Sequence, residues 1–514
     1  MIETSMNPPL HLPFNLSLAD LYESSGLHRV DQAFLDYLAA RDAPLRTRLD
    51  QARADQSGLT DKEHSELLIT VAIHMDSFVA NLFGIEAENA ALTHRHEELN
   101  PIFAVRRLFV QRKAVNAHKA DQSVTFDGVE LEQELIRRMG ESLTDLSFAT
   151  HVLKWQKDET QHGESLALAM RYAAWAAQTP AGARRHADSV LFVIPKKLDF
   201  MRLVPVETGE VKGITVHKLS HIRHREGFNL TDPGTDLAGA LGEAHYCIWC
   251  HEQGRDSCSH GIREKTPADG SPAPFKKTQF GVPLAGCPLD ERISEFHKLK
   301  TEGMSIGALA MITLDNPMAA ATGHRICNDC MKSCIFQKQE PVDIPQAETR
   351  TLKDVLNLPW GFEIYGLLTR WNPLNLQRPV PRPASGRRVL VAGMGPAGFT
   401  LAHQLMNEGH AVVGIDGLKI EPLPASLCGV DEFGTKVPFA PIHHVAELYE
   451  SLDDRTMAGF GGVAEYGITV RWDKNFLKVI RLLLERRPEF HLFGGVRFGG
   501  TLSTDDAFSL GFDH

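Results

Sequence analysis

Hydrophobic positions divide the chain into a helical first third, a mixed middle and an α/β end. From His64 to Gly84, Leu67, Leu68, Val71, Met75, Phe78, Val79 and Leu82 recur at helical spacing. That pattern predicts an amphipathic helix, and Gly84 supplies its C-terminal stop. A second helix is predicted from Thr144 to Ala177, ending before Thr179-Pro180. Near Ser189 the pattern changes. The β-branched stretches VLFVIP at 190–195 and GITVHKL at 213–219 predict strands. Leu237 to Tyr246 predicts a short helix, and the aromatic stretch at 358–371 a packed connector helix. Four prolines and a closing glycine at 373–386 cannot continue it and mark a linker.

Composition narrows the class. The chain has 514 residues, 43% apolar and 23% charged. Those are globular values, and at about 150 residues per domain the length suggests roughly three domains. No apolar run approaches the roughly 18 residues a membrane span needs. The N-terminal MIETSMNPPLHLPFNL has no basic or apolar leader region. The 54 Lys and Arg against 65 Asp and Glu give a net charge of -11. Such a chain gets no help from a phosphate backbone, which argues against general nucleic-acid binding. A cytoplasmic, reducing location is expected.

The cysteines are grouped. Seven of eight lie between Cys247 and Cys334, and Cys428 stands apart. In a reducing compartment such grouping points to metal before disulfides. The first group is Cys247-x2-Cys250-x7-Cys258-x28-Cys287-Pro288, and the second is Cys327-x2-Cys330-x3-Cys334. A C-x2-C turn sets two thiolates at one metal or cluster edge, and Cys-Pro is common beside iron–sulfur clusters. Structural zinc is one reading, with Cys247, Cys250, Cys258 and His260 as a Cys3His set. The other is two four-iron clusters held by seven thiols and one non-cysteine ligand. The redox-type unit that follows favours iron–sulfur, because zinc has no redox chemistry. In the helical part, Glu159-x-x-His162 has di-iron spacing but no partner pair. It reads as a solvated helix face, and His94 and His96 read likewise.

Residues 388–416 carry a dinucleotide fingerprint. Val389 to Ala392 predicts a buried strand, Gly393-x-Gly395-Pro396-Ala397-Gly398 a glycine turn, and a helix follows to about Glu408. A second strand, Ala411 to Ile415, ends at Asp416, 18 residues past the last glycine. Gly393 permits the tight turn, Gly395 lets the backbone approach a pyrophosphate, and Gly398 lets helix and strand sit close. The helix N-terminus presents free N–H groups to phosphate, and Asp416 is placed for ribose hydroxyls.

With these residues in order, the stretch from about 245 to 514 resembles the small subunit of NADPH-dependent glutamate synthase. It is also similar to the N-terminal half of dihydropyrimidine dehydrogenase. The resemblance rests on CPLDERISEFHKLKTEG at 287–303, CNDCMKSC at 327–334, PVDIPQAE at 341–348 and GMGPAG. It also rests on GGVAEYGITVRWDK at 461–474, with Thr469 where the family has proline. The resemblance implies two [4Fe–4S] clusters with interleaved ligands. Cys247, Cys250, Cys258 and Cys334 would hold one. Cys287, Cys327 and Cys330 would hold the other, with Glu348 as fourth ligand and Gln346 as its near rival. It also implies FAD on the glycine turn, with Gly462, Tyr466 and Gly467 beside the flavin. The sequence departs from the family in the long gap between Cys258 and Cys287 and in an insertion at about 421–459. The resemblance places a closing strand and an NAD(P)H-binding domain beyond His514. The chain therefore reads as the N-terminal portion of a longer enzyme, or as one partner of a split one.

The expected architecture is multidomain. Residues 1–185 form a mostly α region of unknown role, and 186–240 a mixed α/β segment. Residues 241–372 form an α-helical double-cluster domain, 373–386 a linker, and 387–514 an incomplete Rossmann-like FAD domain. The expected function is electron transfer between flavin and clusters in an NAD(P)H oxidoreductase, with NAD(P)H bound outside this segment. No nucleophile or acid–base dyad is evident, so no catalytic side chain is assigned. The alternative is a zinc-stabilised scaffold with a vestigial nucleotide fold.

Overall fold

A computed structural model describes residues 9–219, 222, 224, 230, 232–267, 269–322, 327–451, 453, 459 and 473–514. The architecture is multidomain and about half helical, with two small sheets and no closed barrel among the described residues.

The principal N-terminal helices are α1 (Ser24–Arg41), α2 (Ala43–Ala54), α3 (Asp61–Phe83) and α4 (Glu86–Val105). Helix α3 starts at a capping box of Thr60 and Glu63 and stops at Gly84, whose φ is 63°. By length and composition α3 could cross a membrane. Here its apolar side chains, Leu67, Val71 and Phe78 among them, lie in the protein core instead. After α4 comes a nine-residue π-helix, Arg106–Ala114. Then follow α5 (Gly128–Met139), α6 (Asp145–Gln156) and α7 (Glu159–Gln178).

The single helix expected over 144–177 is thus two. Asp158 takes the Gln161 N–H at 3.0 Å and caps a new helix, and His162 leaves helical geometry with φ -112°. The strand expected at 190–195 does not form. The Asp145 carboxylate accepts the N–H groups of Val190 and Leu191 at 2.8 and 3.0 Å, so a side chain occupies the donors a ladder would use. The second expected strand does form, as β2 (Ile214–Leu219), antiparallel to β1 (Val206–Val211). Lys212 and Gly213 make the turn with φ of 53° and 78°, the two positive values a tight hairpin favours. This hairpin is exposed throughout.

The middle helices are α8 (Leu237–Tyr246), α9 (Ile293–Thr301), α10 (Ser305–Asp315), α11 (Ile344–Leu356) and α12 (Gly361–Leu368). Helix α10 is the centre of this part and packs on α3, α9 and α11. A Cβ at Gly307 would stand 2.8 Å from the Ala72 carbonyl, so glycine is what lets α10 approach α3. The buried Lys300 Nζ meets Asp354 Oδ2 at 3.1 Å and ties α9 to α11. In the segment expected to be a linker, Leu374, Leu376 and Val380 are buried in the core. The C-terminal unit is β3 (Arg388–Ala392), α13 (Pro396–Asn407), β4 (Ala411–Asp416), α14 (Phe476–Glu485) and β5 (Phe490–Gly494). Its sheet is parallel in the order β3-β4-β5.

Among the described residues, buried apolar side chains gather in two cores. One joins α1 to α3 with the cysteine region and the C-terminal unit. The other joins the end of α4, the π-helix, α5 to α7 and Leu191-Phe192, and it takes in Leu241 of α8.

Candidate functional site

Four thiols converge. Cys247, Cys250, Cys258 and Cys334 line one small cavity whose other walls include Ile293, His297, Val342 and Ile344. Local structure aims each one. Cys247 ends α8, its N–H still bonded to the Glu243 carbonyl at 3.1 Å. Trp249 then takes a left-handed conformation, φ 51°, which turns the chain so that Cys250 opens a 3-10 turn. A non-glycine residue at positive φ is uncommon, and such strain gathers at functional sites. Asp256 caps the turn Ser257–His260 and accepts the Cys258 N–H at 2.9 Å. Burial pushes the Cys250 thiol up to about 11 and Cys247 higher. A hydrogen bond from Cys258 holds Cys334 down to about 7.

A second set lies beside it. Burial, then the charges of Glu291 and Glu348, raises the Cys330 thiol. Burial and Glu291 push Cys287 up to about 11. Cys327 is exposed. Glu348 is buried, and burial pushes its carboxyl up to about 7; Asn316 Nδ2 donates to its Oε1 at 2.9 Å. Gln346 is engaged elsewhere, its Oε1 accepting the Thr235 N–H at 3.1 Å. Sequence reasoning missed Glu291. It is buried, and among the described residues its Oε1 has no hydrogen-bond partner. Its only signal was its place four residues past Cys287.

The long Cys258-to-Cys287 gap does not separate the sets. The Cys287 N–H donates to the Cys258 carbonyl at 2.8 Å. The intervening chain folds back on itself, with Ile262 N–H to Leu284 O at 2.9 Å and Lys276 N–H to Ile262 O at 2.8 Å. A Cβ at Gly286, φ 88°, would stand 2.3 Å from the Ser259 carbonyl, so only glycine allows the closure. His260 faces Asp290, Nδ1 to Oδ1 3.1 Å, and does not line the thiol cavity. Among the described residues no group of three or more His, Cys, Asp or Glu is placed to hold a metal ion. The first four thiols surround a small void instead. Glu159 lies 3.9 Å from Lys113 at the surface, and His94 3.4 Å from Glu98. His96, expected on the same solvated face, is instead buried, with Nδ1 2.8 Å from the Leu92 carbonyl one turn back.

The glycine turn joins β3 to α13. Gly393 has φ 91°, and Gly395 caps the helix ahead of Pro396 and Ala397. A Cβ at Gly398 would stand 1.8 Å from the Gly393 carbonyl, whereas Cβ atoms at Gly393 and Gly395 would meet nothing within 4 Å. The turn is therefore tight on the strand side and open on the other. Asp416 braces it: one carboxylate oxygen accepts the Met394 N–H at 2.9 Å and the other the Leu418 N–H at 2.9 Å. A carboxylate has about four acceptor positions, so capacity for further donors remains. On the outer edge of β3, Asp513 N–H donates to Arg388 O and Leu390 N–H to His514 O, both at 2.9 Å. Gly462, Tyr466 and Gly467 lie outside the described residues.

Residues 12–84 match the family described as the RP005 N-terminal alpha-helical domain. The chain is 50% identical over 197 residues to the uncharacterized protein RP006 of Rickettsia prowazekii (strain Madrid E), covering 38% of this chain and 26% of RP006. It is 29% identical over 301 residues to RP005 of the same organism, covering 57% of this chain and 99% of RP005. It is 30% identical over 135 residues to the glutamate synthase [NADPH] small chain of Mycobacterium tuberculosis (strain CDC 1551 / Oshkosh). That match covers 26% of this chain and 25% of the relative. The chain thus spans about a quarter of the length of RP006 and of the glutamate synthase chain. The relationship to the latter is distant and partial.

Proposed function

We propose that this chain is the electron-transfer part of an FAD- and iron–sulfur-dependent NAD(P)H oxidoreductase of the cytoplasm. The observation that carries the reading is the convergence of Cys247, Cys250, Cys258 and Cys334 on one cavity, although Cys334 lies in the other sequence group. The partial similarity to a glutamate synthase small chain supports it. The donor chemistry fits. Four thiols, three of them on buried residues, around a small, largely apolar void suit a multi-atom cluster, which spreads its ligands over its own volume. A single zinc ion would draw them within about 2.3 Å of one point. Cys287, Cys327 and Cys330 would hold a second cluster with Glu348, and the pinning of Cys287 to Cys258 keeps the two sets adjacent. The void beside Gly393 and Gly395 suits a pyrophosphate. Pro396, Ala397 and Gly398 open the helix toward it, and Asp416 holds the turn.

Bound there, FAD and the clusters supply the redox chemistry, two electrons at a time at the flavin and one at a time at the clusters. The chain's own residues position these groups and keep water from Cys250, Cys258, Cys330 and Cys334. NAD(P)H would be held by a C-terminal region or a partner subunit. Residues 241–372 serve in this reading as the two-cluster domain and 387–514 as a Rossmann-like FAD domain.

Protein purified without oxygen should carry about eight iron atoms per chain, as two four-iron clusters, with broad visible absorption. Glu348→Ala should damage one cluster and spare the other in EPR of the reduced protein. Cys428→Ser should spare both, because among the described residues that thiol donates to the Leu423 and Val430 carbonyls, at 3.6 and 3.5 Å, and stands apart from the other cysteines. Stoichiometric zinc without visible absorption would overturn the reading in favour of a scaffold.

A further inference from the structure

A second cavity, of about 190 Å3, opens where the π-helix meets the end of α8. Arg106, Arg107 and Arg112 line it together with His245 and Tyr246. In a chain of net charge -11 this is a concentrated positive site. Arg106 is only 8% exposed. It reaches the Gly242 carbonyl at 3.4 Å and lies over the Tyr246 ring at 5.9 Å. Among the described residues none of the three guanidinium groups forms an ion pair, and a buried cation without a directly bonded counter-charge is costly. Of the acids whose charge acts on Arg106, Glu243 comes first, ahead of Asp145 and Glu340, and its Oε2 already accepts the Asp343 N–H at 2.8 Å.

The π-helix explains the convergence. Its bonds run from i to i+5, so residues five apart stack along one face. Arg107 and Arg112 stand in that relation, and so do Arg106 and Gln111, which also lines the cavity. At 3.6 residues per turn an α-helix would set such pairs about 140° apart. The walls are braced by ring stacking, Phe103 on His245 at 4.5 Å and Tyr246 on Phe336 at 4.6 Å. The volume falls below the roughly 300–1,000 Å3 of pockets that take larger ligands, so a dinucleotide is excluded by size.

We propose that this cavity binds a small oxyanion, a carboxylate or phosphate group on a ligand of a few heavy atoms, beside Cys247. Planar guanidinium groups suit both chemistries through paired hydrogen bonds. The site stands on the arginines alone and holds whether or not the thiols carry iron.

The test is calorimetric titration of the full chain with inorganic phosphate and with succinate at fixed ionic strength. Binding of either supports the site, and the tighter one identifies which group it prefers. Arg107→Gln and Arg112→Gln change exposed side chains and leave the core intact. Each should weaken the preferred anion about tenfold or more, the usual scale for a charge-assisted hydrogen bond. Arg137→Gln, at an exposed residue paired with Glu134, should leave affinity unchanged. No binding of either anion, unchanged binding in the Arg107 and Arg112 variants, or an equal loss in Arg137→Gln would each overturn the proposal.

Discussion

Glu363→Ala should cost the fold about 3–5 kcal/mol, read as a lower urea midpoint, because it strands a buried cation. Glu363 of α12 and Arg486 just past α14 are both fully buried, with Nη1 to Oε1 2.8 Å. The same Oε1 accepts the Ile442 N–H at 2.8 Å, and Oε2 accepts the Tyr22 hydroxyl at 3.1 Å. Arg486 also donates to the Leu427 carbonyl at 2.8 Å and the Ala440 carbonyl at 3.0 Å. One carboxylate thereby fastens the N-terminal segment, α12 and α14 to the 421–459 segment. Without it, the guanidinium keeps its two carbonyls but loses its counter-charge in a dry interior. Glu363→Leu combined with Arg486→Met should recover much of the loss, since apolar replacement of a buried pair is often neutral or better. A loss below about 1 kcal/mol for Glu363→Ala would show that water reaches the pair.

That network marks where sequence reading stops. Local signals were legible: the spacing of Leu67 to Leu82 with Gly84 as stop, the helix Leu237–Tyr246, and the strand, turn, helix and strand from Arg388 to Asp416. Each is decided by neighbours within a few residues. The break in the 144–177 helix had a local cause, the capping preference of Asp158, but apolar periodicity on both sides masked it. The absent strand at 190–195 depends on Asp145, a residue in another helix. The closure of Cys258 on Cys287 depends on the returning chain between Ile262 and Leu284, and spacing alone made that gap look like a separation. Glu291 was hidden for a similar reason. An acid after a Cys-Pro is ordinary in sequence, and only the fold sets it against Cys330 and Glu348.

Gly395→Ala and Gly398→Ala should separate folding from nucleotide binding at the turn. At Gly398 the added methyl would stand 1.8 Å from the Gly393 carbonyl, a backbone atom that cannot swing aside. Helix α13 would have to lift from β3, an overpacking cost of about 3 kcal/mol. The 387–514 region should then lose amide protection in hydrogen exchange. At Gly395 the methyl meets nothing within 4 Å, and φ -77° with ψ -171° suits alanine. Stability should therefore change by no more than about 0.5 kcal/mol. The methyl would, however, point into the open side of the turn, where a pyrophosphate must approach the backbone closely. FAD affinity, read by titration of the full chain with flavin fluorescence, should fall about tenfold or more while the urea midpoint holds. Wild-type affinity in Gly395→Ala would mean that the open side of this turn holds no phosphate, and Gly395 would then serve only to start the helix.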